Sequence, residues 1–385
     1  MLLSVIVYTL LALALWYLGY HVHRREQRLY ATSGATLPGM SWEIWLAIAL
    51  VTVFIGFKWD TGSDFEMYYQ SFKELADDGE FSRRDNFEVG YYYFNKFLAV
   101  IGCHPIVVFA VWTFVQAFLF YFALRDRKFL LPWMGLLLIL GPLNLNWLTF
   151  LRQWTISFML LASIPWIVNR KWLPYLLMVA LAITIHKSAI LLLPLYFAPC
   201  LVRDKDRTPW LYLVIFAACV VLGQFPYWFK ALRWVVDAAY MAGYDRYHYL
   251  LDPLKNLQYH FYGWGPAHIC SIAVSVLFIW FYPSVRRHYP ADKFLPTYFV
   301  LAFLCVCYDN LVLNTSYVLR RPADYLYVFQ WVMLAYTMAY FKETKRYVLL
   351  AATIAVSCAT TYLILYKCAY MGIEDKMLYH FFFFK

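Results

Sequence analysis

Several ionisable residues stand where an apolar chain should not carry them. His186 and Lys187 lie side by side within LAITIHKSAILLLPLYF, residues 181–197. Arg152 interrupts TFLRQWTISF, and Arg320 and Arg321 interrupt YVLRRPADYLYVF. Asp60 and Asp64 lie in KWDTGSDFEMYYQSF, and Glu88 lies in FEVGYYYFNKFLAVIG. An ionisable group at membrane depth costs about 2.5–3.5 kcal/mol on insertion scales, so each needs a partner or a wet cavity. Their types offer a definite chemistry. A neutral imidazole, with an ordinary pKa of about 6.5, can accept a hydroxyl proton. A guanidinium binds phosphate oxygens through a two-pronged fork and keeps its charge. Asp64 is a second possible base.

Each residue also has a plainer reading. A lone Arg at the start of a span can snorkel to the headgroups. Arg321 can pair with Asp324. A carboxylate at the first turn of a helix, such as Asp64, is favoured by the helix dipole alone. Asp60 and Glu88 fit a solvated loop.

The elements that must position these groups follow from composition. The chain has 385 residues, 63% hydrophobic and 15% charged. That is far less charge than a soluble domain carries. Apolar runs long enough to cross a hydrocarbon layer of about 30 Å recur from end to end. The sequence predicts an all-α polytopic integral membrane protein, with residues 1–385 forming a single membrane domain. The first run, LLSVIVYTLLALALWYLGY, lacks a small-residue cleavage site and reads as a retained span. The eight cysteines fall mostly in apolar runs without a CxxC, so they read as small buried hydrophobes rather than ligands. No metal and no cofactor are expected.

The net charge of +10 reads as a topology signal, not as affinity for nucleic acid. Six short clusters hold 17 of the 33 Lys and Arg residues and only six acids. They are Arg24, Arg25 and Arg28; Arg125, Arg127 and Lys128; Arg170 and Lys171; Arg203, Lys205 and Arg207; Arg286, Arg287 and Lys293; and Lys342, Lys345 and Arg346. All six fit one cytoplasmic face. The spans then fall at about 2–20, 42–57, 105–124, 129–146, 153–168, 172–186, 188–201, 208–225, 264–283, 294–312, 322–341 and 347–366. This gives about 12 transmembrane helices, with both termini outside. Residues 58–104 form an outer loop with interfacial helices. Its helix 64–78 shows a Ser63/Glu66 capping box and an apolar face of Phe65, Tyr69 and Phe72. Residues 226–263 form a long aromatic-rich outer loop, including Trp228, Trp234, Tyr244 and Tyr259, suited either to an interfacial belt or to stacking on sugar faces. The singled-out ionisable groups gather on the outer face.

Five segments, in order, resemble the EpsG-like, Wzy-type bacterial polysaccharide polymerases: KWDTGSDFEMYYQSF, FEVGYYYFNKFLAVIG, LTFLRQWTISFMLLAS, ALAITIHKSAILLLPLYF and LRRPADYLYVF. The family pattern falls on Gly62, Asp64 and Tyr68; Glu88, Gly90 and Tyr91; Arg152; His186 and Ser188; and Arg321 and Tyr325. The first segment often begins with Arg in that family, whereas this chain has Lys58, a point charge without the fork.

The resemblance implies a metal-independent glycosyltransferase of the bacterial inner membrane, with its active site facing the periplasm or cell exterior. It would move a growing glycan from undecaprenyl pyrophosphate to the non-reducing end of a lipid-linked repeat unit. Donor, acceptor and bilayer are the implied partners, with a chain-length regulator protein as another. His186 is the first choice of base and Asp64 the second. Arg152 and Arg321 would hold the pyrophosphate, helped by Lys187 or Lys58. Arg320, Asp60, Glu88, Tyr68 and Tyr325 would line the substrate site.

A polyprenyl-phosphate-dependent glycosyltransferase or an O-antigen ligase fits the same residues. A transporter of lipid-linked glycan is the non-enzyme alternative. It predicts internal repeats and polar groups at mid-membrane, and the chain shows neither.

Overall fold

The computed structural model describes residues 1–81, 87–142, 145–201, 209–225, 241, 264–314, 317–370 and 377–384. The described residues are 81% helical, and no strand occurs among them. Among the described residues, five helices are long and apolar enough to cross a membrane: α1 (Leu2–Ser33), α5 (Pro105–Leu124), α8 (Leu151–Val168), α11 (Pro266–His288) and α15 (Tyr347–Tyr370). Between them lie α2 (Trp42–Val51), α3 (Phe65–Asp78), α4 (Val89–Val100), α6 (Leu131–Leu140), α7 (Leu145–Thr149), α9 (Trp172–Ile185), α10 (Trp210–Gly223), α12 (Leu295–Leu311), α13 (Tyr317–Asp324) and α14 (Tyr327–Glu343). The aromatic loop 226–263 lies outside the described residues except for Met241, as does the cluster Arg203, Lys205 and Arg207.

At the centre stands α14, buried at every position from Tyr327 to Phe341. Such all-round burial suits a helix apolar on all faces. Trp331 stacks on Trp154 of α8 at 5.1 Å and 16°.

The expected span 129–146 is broken. The helix α6 stops at Gly141 and Pro142, and α7 and α8 follow as separate pieces. Backbone freed at membrane depth must find partners within the protein. The Gly141 carbonyl accepts from Thr361 Oγ1 at 3.1 Å and the Pro142 carbonyl from Trp331 Nε1 at 2.8 Å. The Leu148 carbonyl accepts from Lys58 Nζ, and that of Leu151 from Gln116 Nε2 at 2.8 Å.

The run after His186 is also unusual, forming a 3-10 helix over Lys187–Leu201. Pro194 and Pro199 lack the N–H an α-helix would use and crowd the carbonyl four residues back. A 3-10 helix rises about 2.0 Å per residue, so this run reaches about 30 Å. The α form would reach only about 22 Å. Winding tightly lets a sequence too short for an α-helical span attain the length of one.

Three further expectations are corrected. The first helix continues through the basic residues Arg24, Arg25 and Arg28. The capping box at Ser63 and Glu66 does not form, because Asp64 takes the N-cap position and no side chain caps the helix. The expected span 322–341 begins at Tyr327, so Arg320 and Arg321 belong to the separate short helix α13.

The basic clusters do converge. Lys128 pairs with Glu26 at 2.8 Å, Arg127 with Asp292 at 3.5 Å, Lys293 with Asn169 at 2.8 Å and His288 with Glu343 at 2.7 Å. These contacts gather residues from five of the six clusters, or their immediate neighbours, at one end of the bundle.

Candidate functional site

The site begins with a close helix approach. A Cβ on Gly90 would sit 2.2 Å from Thr184 Oγ1 and 2.9 Å from the Thr184 carbonyl, so only glycine lets α4 reach the end of α9. That approach carries Glu88, the N-cap of α4, to His186, the C-cap of α9. Glu88 Oε1 lies 2.9 Å from His186 Nδ1 and accepts from the Lys187 backbone N–H at 3.0 Å. Its other oxygen, Oε2, accepts from Arg152 Nη1 at 2.5 Å. Glu88, Arg152 and His186 are each less than a tenth exposed.

Arg152 stands at the start of α8, as expected. Its Nε donates to the Tyr68 hydroxyl at 3.2 Å. The guanidinium also lies over three aromatic faces, Phe87 at 5.2 Å, Tyr91 at 5.4 Å and Tyr68 at 5.8 Å from their centroids. Such stacking stabilises a cation and excludes water.

Electrostatics fix the protonation of the acid. Burial by itself raises the Glu88 pKa, but the hydrogen bond with His186, the charges of Arg152 and His186 and the Lys187 N–H outweigh it and hold the carboxyl at about 2. An ionised carboxylate can only accept. His186 Nδ1 therefore carries a proton toward Glu88, and in the neutral ring Nε2 is then the acceptor. Nε2 has no hydrogen-bond partner among the described residues. This is the arrangement that orients a general base by a carboxylate on its far nitrogen.

A second group of residues surrounds this triad. Burial raises the Asp64 pKa, against the charges of Arg321, Arg152 and Lys58 and a hydrogen bond from Ser63. Arg321 also acts on Tyr68. The four segments carrying Lys58 to Tyr68, Glu88, Arg152 and Arg321 thus share one neighbourhood. Lys58 is buried, which lowers its ammonium pKa to about 7 against the charge of Asp64. The loop between Lys58 and Asp64 fits tightly, because Gly62 has φ +94 and a Cβ there would sit 2.4 Å from the Leu148 carbonyl.

The remaining candidates divide. The Tyr325 hydroxyl and Ser188 Oγ are 2.6 Å apart, which ties the residue after α13 to the segment following His186. Arg320 faces elsewhere: its Nε and Nη2 bond Asp309 Oδ1 at 3.0 and 2.9 Å, and Tyr327 donates to the same oxygen at 2.7 Å. The Lys187 side chain is exposed, and only its backbone N–H joins the cluster. Asp60 occupies the same loop as Lys58, with a left-handed φ of 44.

Sequence reasoning found the members but assigned Glu88 to substrate. Its contact with His186, 98 positions away, was not visible in the sequence. Of the walls around Arg152, Tyr91 was part of the family pattern, whereas Phe87 was visible only as an aromatic beside that acid. Asp309 was missed. An acid near the end of the apolar run LPTYFVLAFLCVCYDNL, 11 residues before an Arg, was the available signal.

A bundle of apolar helices with a buried Glu–His–Arg centre, and with Asp64 and Arg321 in the same neighbourhood, defines a helical protein with several apolar helices of membrane-spanning kind and a cluster of ionisable groups among them. The model of the EpsG family matches residues 42–380, and the chain belongs to that family. Membership marks it as a polysaccharide-polymerase-like membrane protein. No curated protein and no solved structure matches the chain.

Proposed function

We propose that this protein is a polysaccharide polymerase. It transfers a growing glycan from undecaprenyl pyrophosphate to the non-reducing end of a lipid-linked repeat unit on the outer face of the bacterial inner membrane. The observation that carries this reading is the Glu88–His186 pair beside Arg152, Arg321 and Asp64.

The acceptor hydroxyl oxygen attacks the anomeric carbon of the donor, with inversion as the simplest course. The bond from that carbon to the pyrophosphate oxygen breaks, and its electron pair leaves with the pyrophosphate. His186 Nε2 takes the hydroxyl proton, and the imidazolium so formed faces the ionised Glu88. Positive charge from Arg321 and Arg152, with Lys58 behind them, stabilises the departing pyrophosphate. Since that group leaves readily as an anion, one base suffices, unlike the two carboxyl groups of glycoside hydrolysis. Asp64 stands as the alternative base.

Reconstitution with a synthetic lipid-linked repeat unit, followed by electrophoresis of the product, tests the reading. A ladder of glycan lengths is expected. A product enlarged by one sugar identifies a polyprenyl-phosphate-dependent glycosyltransferase instead, transfer to a lipid acceptor a ligase, and translocation without extension a transporter. Wild-type ladders from His186→Ala would remove His186 as the base.

A further inference from the structure

Residues 377–382 return across the bundle to the segment that carries Lys58. The Trp59 N–H donates to the His380 carbonyl at 2.8 Å, and the Phe382 N–H donates to the Phe57 carbonyl at 3.0 Å. Lys58 and Phe381 thereby form an antiparallel bridge. Thr61 Oγ1 donates to the Leu378 carbonyl at 3.1 Å. The Phe382 ring packs 5.6 Å from that of Trp59 and 5.5 Å from that of His104.

The same strap holds the surface on which Lys58 rests. Thr149 Oγ1 lies 3.9 Å from Met377 Sδ, one residue beyond the Leu148 carbonyl that accepts from Lys58. Its other edge is anchored on α1, where Tyr379 N–H donates to Ser4 Oγ at 2.9 Å and the Met377 carbonyl accepts from Tyr8 at 3.3 Å. One six-residue segment therefore bridges to Lys58 and touches Thr149, the neighbour of Leu148. Lys58 lies in a loop, residues 57–64, and Leu148 in α7, a helix of only five residues.

We propose that residues 377–382 are a positioning strap, which clamps Lys58 onto the broken α6–α7 segment and so fixes the loop bearing Asp64 for substrate binding. The role in binding rests on the function proposed above, whereas the clamp itself does not. The segment meets, through a single antiparallel bridge, a loop that has no sheet of its own. Its backbone bonds supply order that the sequence around Gly62 lacks.

Two variants test it. Phe382→Pro removes the N–H donated to Phe57, and proline is tolerated there because Phe382 opens a short 3-10 turn. Phe382→Ala keeps that N–H and removes only the ring. The first readout is modification of Lys58 by an amine-reactive reagent, followed by mass spectrometry of the full-length protein in lipid. A hydrogen bond contributes about 0.5–1.5 kcal/mol, so Phe382→Pro is expected to expose Lys58 roughly two- to tenfold more than wild type. Phe382→Ala is expected to fall between the two. The second readout is the split between KM and kcat for the lipid-linked repeat unit, in which KM rises and kcat is retained. Unchanged Lys58 protection in Phe382→Pro and in a chain lacking residues 377–385 would overturn the clamp. Exposure of Lys58 with no change in KM would overturn the positioning role. Absence of any glycan product from the wild-type protein would overturn the proposed function, and Lys58 labelling would still decide the clamp.

Discussion

Two buried arginine–carboxylate pairs lie in neighbouring parts of the bundle and use nearly the same parts. Arg320 meets Asp309 with both Nε and Nη2, and the Tyr327 hydroxyl bonds the same carboxylate oxygen. Arg152 meets Glu88 with one nitrogen and the Tyr68 hydroxyl with another. The difference is what else each acid holds. Asp309 is engaged by a guanidinium and a phenol, neither of which exchanges a proton near neutral pH. Glu88 also holds an imidazole and a backbone N–H. The first pair is a closed tie between α12 and α13. The second is a tie that also sets the tautomer of a base.

The largest expected effect lies at that base. Loss of a positioned general base lowers rate by about 10²–10⁴-fold, and His186→Ala should lose chain extension by that factor while remaining inserted. Asp309→Ala should act differently. It removes a carboxylate that the half-buried Arg320 and Tyr327 both bond, and breaking one partner from a pair out of water destabilises by up to about 3–5 kcal/mol. Thermal unfolding in detergent should register that loss, while the pH profile of the surviving activity stays where it was. A shifted profile in Asp309→Ala would dissolve the contrast between the two pairs.

Acid should separate them further. The folded-state pKa of Glu88, about 2, lies below its ordinary 4.5. Its ion pairs therefore stabilise the fold fully above pH 4.5 and are lost as pH falls from there toward 2. Glu88→Gln removes this contribution, so its unfolding temperature should fall less than that of wild type between those two pH values. Equal slopes would mean that Glu88 is not held ionised by its neighbours.

What the sequence made legible follows from range. His186 and Arg152 showed themselves locally, as ionisable groups set in apolar runs. The helical class and the convergence of the basic clusters followed from composition and charge. Glu88 was visible as a candidate but its contacts were not, because its partners stand 64 and 98 positions away. Gly90 was noted in the family pattern, but its reason, contact with Thr184, exists only once α4 and α9 meet. The break at Gly141 and Pro142 was hidden within a continuous apolar run. The 3-10 winding after His186 was hidden because residues 188–201 read as one apolar span, and an apolar run does not announce how tightly it winds. Residues 377–382 carried no sign of their return to the Lys58 loop.

The smallest effects make the sharpest test, and they concern Lys187. Its ammonium was expected to face phosphate, yet the side chain is exposed and the backbone N–H makes the contact to Glu88. Side chain and backbone can be separated by substitution. Lys187→Ala keeps the N–H, and an exposed surface change of this kind falls within about 0.5 kcal/mol, roughly a twofold effect on turnover. Lys187→Pro removes the N–H at a position that accepts proline. The residue opens the 3-10 helix, and His186 before it is already extended, with φ −156 and ψ 121, as the residue preceding a proline prefers. A hydrogen bond to a charged group contributes about 1.5–3 kcal/mol, so Lys187→Pro should reduce turnover by at least about tenfold. The reverse order, with Ala the more damaging, would return Lys187 to the phosphate. It would also make Glu88 a carboxylate held by Arg152 and His186 alone, closer in kind to the Asp309 tie.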